Sequence, residues 1–251
     1  MTDLATALRG AVARHELAAW FQPQIDLATG RIVSVEALCR WTHPELGAIE
    51  PSVFIPLAEE LGLIDEIGQF MIEEGCAAAE KWSRLAHPIE VSVNVSPAQL
   101  VTSTFTDRLA VELRRLNLAP GSLTVEITES LRIEDLPVVV QRLDQLRELG
   151  LGVSLDDFGI GHSSMTQLRR LHATELKIDR SLIADDSETV TAMLRSVVDT
   201  VHEAGLLVVA EGIETAEQLE RVRELGCDRA QGYLLARPMP KPAVELLFKA
   251  A

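Results

Sequence analysis

Basic residues are scarce in this 251-residue chain: 23 lysines and arginines face 38 aspartates and glutamates, a formal net charge of -15. That balance excludes broad binding to a nucleic-acid polymer or an anionic membrane surface, because both need basic patches that displace counterions. A small anionic ligand remains compatible with it, provided that divalent cations supply positive charge locally. Cysteine is scarce too. Cys39, Cys76 and Cys227 are odd in number and far apart, which fits neither a disulfide framework nor zinc spacing. No window approaches the roughly 18 uninterrupted apolar residues of a membrane span. Met1 to Gly10 also lacks the apolar centre of a signal peptide. These absences lead to the expectation of a cytoplasmic protein with reduced, structural thiols.

What is present reads as an ordinary globular chain, 47% hydrophobic and 24% charged. Short runs rich in Val and Ile alternate with longer stretches of helical period, the pattern of strands covered by helices. Eight strands are expected, at Trp20 to Ile25, Ile32 to Leu38, Ile89 to Val95, Leu123 to Ile127, Gly152 to Leu155, Glu175 to Ile178, Leu206 to Ala210, and Arg229 to Gly232. Helices are expected at Leu136 to Leu149, stopped by Gly150, and at Glu188 to Ala204, stopped by Gly205. Ser96-Pro97 reads as a cap with proline at the first helical position, and Thr215 with Gln218 as a capping box. The link from Asp26 to Arg31 is too short for a crossover, so strands one and two must pair antiparallel through Thr29-Gly30. The expected fold is therefore an α/β, TIM-like (β/α)8 barrel with an antiparallel first strand, formed as one domain over 1–251. Reversal of strand one also places Gln22 at the same rim as Glu36.

Polar residues interrupt the apolar runs at nearly every strand end: Glu36, Asn94, Glu126, Asp156 with Asp157, Lys177 with Asp179, Glu211 and Gln231. A barrel gathers these ends at one face. Carboxylates crowded there repel one another unless cations or protons compensate. An all-oxygen donor set suits Mg2+ or Mn2+ rather than zinc. Two adjacent aspartates also allow one residue to bridge a pair of ions about 4 Å apart, an arrangement suited to phosphodiester cleavage. Taken singly, each acid has a plainer reading: Glu36 as a partner of Arg40, Lys177 with Asp179 as a simple ion pair, Glu129 as a turn cap. His162 reads as a loop residue rather than a ligand.

Eight segments in order resemble the EAL-domain family, the cyclic-di-GMP-specific phosphodiesterases of bacterial signalling. They are FQP at Phe21, VEALCRW at Val35, VNVSP at Val93, VEITES at Val125, LDDFGIGHSS at Leu155, LKIDRSLI at Leu176, AEGIET at Ala210, and GCDRAQGYLLARP at Gly226. The resemblance implies hydrolysis of cyclic di-GMP to linear pGpG with two Mg2+ or Mn2+ ions. It implies that Glu36, Asn94, Glu126 and Asp156 hold one ion, and Asp156 with Asp157 the other. Lys177 would hold or polarise the attacking water, and Glu211 would bind metal through water or act as general base. Gln22, Arg40 and Gln231 look like substrate contacts, Arg40 through its fork of donors. Glu129, Asp179 and Glu214 would support these groups from behind, Glu129 by anchoring the loop that begins at Asp157 and couples metal binding to a homodimer. Two departures fall in that loop, where the usual threonine is Ile160 and the usual aromatic is His162. They leave every ligand position intact and bear on loop order, which keeps a cyclic-di-GMP-binding sensor without turnover as the alternative. A lyase using Lys177 as a Schiff-base nucleophile is a third reading, opposed by the crowd of carboxylates. No sensory domain is evident in the 251 residues.

Overall fold

A tight turn sets the first two strands against each other. In the computed structural model, which describes residues 3–102, 104–128, 136–158 and 171–250, Asp26 Oδ1 accepts the Thr29 N–H at 2.7 Å and the Thr29 hydroxyl at 2.6 Å. Gly30 follows with φ +70°, a left-handed conformation that glycine adopts at little cost. Strands β1 (Leu17–Asp26) and β2 (Ile32–His43) therefore pair antiparallel, with Gln22 opposite Glu36. A short strand β3 (Gly47–Ile49) folds back on the end of β2.

From β2 onward the barrel is parallel. Strands β4 (Glu90–Asn94), β5 (Leu123–Thr128), β6 (Gly152–Phe158), β7 (Glu175–Ile178), β8 (Leu207–Ala210) and β9 (Arg229–Gln231) follow in order, and β9 closes the ring by pairing antiparallel with β1. A two-residue strand β10 (Met239–Pro240) flanks β1. The eight expected strands thus form the closed barrel, and two more decorate its rim. β1 begins earlier and β2 ends later than expected, because Leu17, Ala18 and Ala19 pair with Trp41, Arg40 and Cys39, and β3 pairs with Trp41, Thr42 and His43, backbone that the apolar pattern does not mark.

Helices cover the outside because one stripe of each is apolar. Residues Ile67, Met71, Cys76 and Ala79 of the helix Ile64–Trp82 are buried against the sheet. Val139, Leu143 and Leu146 do the same for the helix Leu136–Glu148, as do Leu194, Val198 and Val201 for Glu188–Glu203. Each such Val, Leu, Ile or Met side chain contributes about 1.5–3 kcal/mol through burial. The expected capping box of Thr215 with Gln218 is formed, and the expected Ser96 cap, with Pro97 after it, is itself a capping box with Gln99. A second, smaller core of Leu8, Leu17, Trp41, Phe54 and Ile67 packs where the β2–β3 end overhangs the barrel. The three cysteines are free, and burial pushes each thiol up to about 12, so none is a nucleophile.

The barrel interior is polar. Alternation along each strand sends Val35, Ala37, Val91, Val93, Val153 and Leu155 outward to the helices and turns Ser34, Glu36, Ser92, Glu126, Ser154 and Asp156 inward. These inward groups form two ionic layers. One lies at the floor, where Arg229 meets Glu90 at 2.7 Å and Glu175 at 3.4 Å across the ring. The other lies at the mouth.

Candidate functional site

Lys177 is the centre of the mouth. It projects inward from β7, is fully buried, and its Nζ lies 2.7 Å from Glu211, 3.0 Å from Glu126, 3.3 Å from Asp156 and 3.4 Å from Glu36. These acids come from β8, β5, β6 and β2, so barrel closure alone brings them to one ammonium. Asn94 Nδ2 donates to Glu36 Oε1 at 2.7 Å, and Gln231 Nε2 donates to Glu36 Oε2 at 2.7 Å and to Gln22 Oε1 at 3.1 Å. Gln22 in turn donates to the Ala236 carbonyl at 3.1 Å. Asp157 has φ +61°, an uncommon conformation for a residue with a side chain, and its N–H donates to Asp156 Oδ1 at 2.9 Å. The ladder between β6 and β7 slips at this point, between Leu155 and Phe158.

The protonation pattern follows from this crowding. Burial opposes the Lys177 charge, but Asp156, Glu126, Glu211 and Glu36 outweigh it and hold the ammonium well above its ordinary range. An ammonium held by four carboxylates opposes the Schiff-base lyase reading, which needs a free amine. Burial also opposes the charge on Glu36, yet Lys177 and the amides of Gln231 and Asn94 keep its carboxyl low. Glu126 is the reverse: burial and then the neighbouring Glu36 push it well above the carboxylate range. Burial raises Glu211 to about 8, and burial with Asp156 raises Asp157 to about 6.

One ammonium does not satisfy four carboxylates. Glu126 Oε1 is buried with no hydrogen-bond partner, an acceptor aimed at no donor. Glu36, Glu126 and Asp156 offer oxygens within 4.8 Å of one another, and so do Asp156, Asp157 and Glu211. This oxygen-only set fits a hard divalent cation, which the orphaned Glu126 oxygen would help to ligate.

Two hollows open above the cluster and share Glu36 and Leu38. One, of about 270 Å3, is lined by Asp156, Glu211, Gln231 and Tyr233. The other, of about 430 Å3 and largely apolar, is lined by Arg40, Ile55, Ile67, Met71 and Asn94. Arg40 does not pair with Glu36; its Nη1 donates to the Cys39 carbonyl at 2.9 Å. Asp179 does not pair with Lys177 either. It caps the helix Arg180–Ala184 by accepting the Ser181 N–H at 2.8 Å, and it lines the acidic hollow. Glu214 stands at the rim of that hollow, exposed. Glu129, Ile160 and His162 lie outside the described residues.

The structure therefore gathers Gln22, Glu36, Asn94, Glu126, Asp156, Asp157, Lys177, Glu211 and Gln231, and leaves Arg40 and Glu214 on the walls. It adds an ionic floor in which the buried Glu175 and the half-buried Glu90 share Arg229. Glu175 and Arg229 sit two residues before Lys177 and Gln231, so strand alternation alone marks them as inward-facing.

A family model described as the EAL domain matches residues 5–238. The bifunctional diguanylate cyclase/cyclic di-GMP phosphodiesterase MucR of Pseudomonas aeruginosa is 41% identical over 248 residues, which are 97% of this chain and 36% of that relative. The cyclic di-GMP phosphodiesterase RocR of the same organism is 35% identical over 243 residues, 96% of this chain and 62% of that one. The chain thus spans less than two thirds of the length of these curated relatives. A solved structure of the PaMucR phosphodiesterase in complex with c-di-GMP superposes with a TM-score of 0.89 at 39% identity, covering 96% of this chain and 99% of the other.

Proposed function

This chain belongs to the EAL domain family, and on that premise we propose that it hydrolyses one phosphodiester of cyclic di-GMP to linear pGpG, using Mg2+ or Mn2+. The observation that carries the reading is the ring of four carboxylates around Lys177 with one Glu126 oxygen left unpartnered. Glu36, Asn94, Glu126 and Asp156 would hold one ion, and Asp156 with Asp157 a second. The chemistry that such cations supply is water activation near neutral pH and neutralisation of phosphate charge.

The chain's own groups do the rest. Gln231 and Asn94 fix both oxygens of Glu36, so the carboxylate cannot turn away from the mouth. Lys177, ringed by these carboxylates, orients the attacking water by donating a hydrogen bond. Glu211, 2.7 Å from Lys177, would give up its own proton when a cation binds beside it and would then take the proton of that water. Arg40, free of any carboxylate partner among the described residues, offers its remaining donors to a phosphate oxygen. A ligand that fills both hollows must cross Glu36 and Leu38, which suits two bases joined by a phosphate ring. Gln22, Gln231 and Glu214 line the base-bearing walls; Asp179 would support the site from behind, and Glu129 would anchor the loop that begins at Asp157.

The reading extends to the setting. Residues 1–251 act as one catalytic unit, supported by the closure of β9 on β1 and the packing of Phe248 on the main core. The unit works as a cytoplasmic homodimer; in keeping with this, no helix among the described residues is long and apolar enough to cross a membrane.

The test is turnover. Purified chain mixed with cyclic di-GMP and Mn2+ is expected to release pGpG, and EDTA to stop it. Tight binding of cyclic di-GMP with no product under Mg2+ or Mn2+ would overturn the assignment.

A further inference from the structure

Trp20 occupies a position that the catalytic reading does not use. It lies on β1 with Leu38 of β2 on one side and Pro240 of β10 on the other, so its backbone is clamped between two strands. Strand alternation puts Trp20 on the face that bears Gln22, and the register puts Leu38 and Arg40 on the face that bears Glu36. These two faces are one, where the barrel interior rises to its mouth. Arg40 is two residues beyond the direct partner of Trp20, a diagonal relation that aromatic and long side chains can bridge. They do: the Arg40 guanidinium carbon stands 5.8 Å from the centre of the Trp20 ring. Opposite Arg40 itself sits only the small Ala18, which leaves the space to the indole.

Arg40 is thus held in an unusual way for an acidic protein. Its fixed contacts are a π face and the Cys39 carbonyl, and among the described residues no carboxylate pairs with it. Neither contact cancels its charge. Both restrict the swing of the guanidinium over the hollow that Arg40 shares with Glu36 and Asn94.

We propose that Trp20 is a positioning residue: its indole presets the Arg40 fork for the phosphate of the substrate, in place of an acid that would neutralise it. The inference rests on the phosphodiesterase reading, and it assigns a role in substrate capture rather than in the chemical step.

The experiment is a double-mutant cycle on cyclic di-GMP turnover with Mn2+, with melting curves for every variant. Trp20→Leu is expected to raise KM about threefold to tenfold with kcat within about twofold. Trp20→Phe, which keeps a π face, should restore most of the loss. In an Arg40→Met background, Trp20→Leu should change KM no further. An equal increment in both backgrounds, or an unchanged KM in Trp20→Leu, overturns the proposal while wild-type turnover still upholds the phosphodiesterase. Wild-type protein that neither binds nor cleaves cyclic di-GMP brings down both. An independent reading comes from fluorescence, because Trp41 and Trp82 are only 1% exposed and Trp20 alone of the three tryptophans is not buried. Its emission should change on ligand binding in wild type and fail to do so in Arg40→Met if the guanidinium is the link.

Discussion

Glu126 is buried, loses solvation, and faces two other acids, yet one of its oxygens has no partner at all. Without a cation, burial and Glu36 favour its protonated form. Glu126→Gln imitates that protonated form, so the metal-free variant is expected to melt at or above the wild-type temperature while losing the stabilisation that Mn2+ gives wild type. A variant still stabilised by Mn2+ would remove Glu126 from the ligand set. Glu36→Ala and Asp156→Ala are expected to abolish turnover, by at least about a thousandfold, with little loss of fold; near-normal activity in either would refute the metal assignment.

The same acids give ion binding a pH dependence whose sign is fixed. The folded metal-free protein keeps protons on Glu211 up to about pH 8 and on Asp157 up to about pH 6, whereas unfolded chains release them near the ordinary carboxylate range. The stability that these two groups contribute is therefore full below about pH 4 and is lost as pH rises through 6 and then 8. A divalent cation must displace those protons, so its affinity rises over the same window and levels off above pH 8. Calorimetry in buffers of different ionisation enthalpy should show proton release on Mn2+ binding at pH 6.5; release of none would contradict the picture.

At the scale of elements, the loop after β8 is built with less room than the hairpin between β1 and β2. Gly212 has φ +66°, and a Cβ there would meet the Arg180 Cβ at 2.2 Å; Gly30 has φ +70° with nothing within 4 Å of an added Cβ. Gly30→Ala should therefore cost about 1–2 kcal/mol of stability and spare activity. Gly212→Ala must also displace the turn that carries Glu211, and should lower kcat more than tenfold. Equal effects on turnover would show that the loop yields freely.

The elements were legible to different degrees. The turn at Asp26 to Arg31 declared the reversed strand because six residues cannot cross a sheet. The helix Leu136–Glu148 declared itself through Leu143 and Leu146 at helical spacing. β3 and β10 were not legible: Gly47–Ile49 and Met239–Pro240 carry no apolar alternation, and they are strands only because β2 and β1 offer them an open edge. In the site, the acids could be read from their places at strand ends. That all four converge on Lys177, rather than Asp179 alone, depends on ring closure, which no local pattern encodes. The floor pair Glu175 and Arg229 was written in the alternation, but at the starts of β7 and β9 rather than at the strand ends where the acids were sought.

For the whole molecule, two ionic layers stacked inside one barrel make its core conditional on charge pairing. Arg229→Met leaves Glu175, already raised by burial, without its cation. The expected loss is about 3–5 kcal/mol. Glu175→Gln in the same chain should recover most of it, as urea titration would show; an additive loss would mean that the two do not act as a pair.

The reversed β1 has a mechanical consequence. In a barrel with a parallel first strand, tension on the chain ahead of that strand is borne at the floor, away from the chemistry. Here the start of β1 is at the rim, so a pull or twist delivered through residues 9–16 loads Leu17 first, then Trp20 and Gln22, before it reaches the hairpin below. The fold thereby gives residues 9–16 leverage on the lip of the carboxylate-lined mouth.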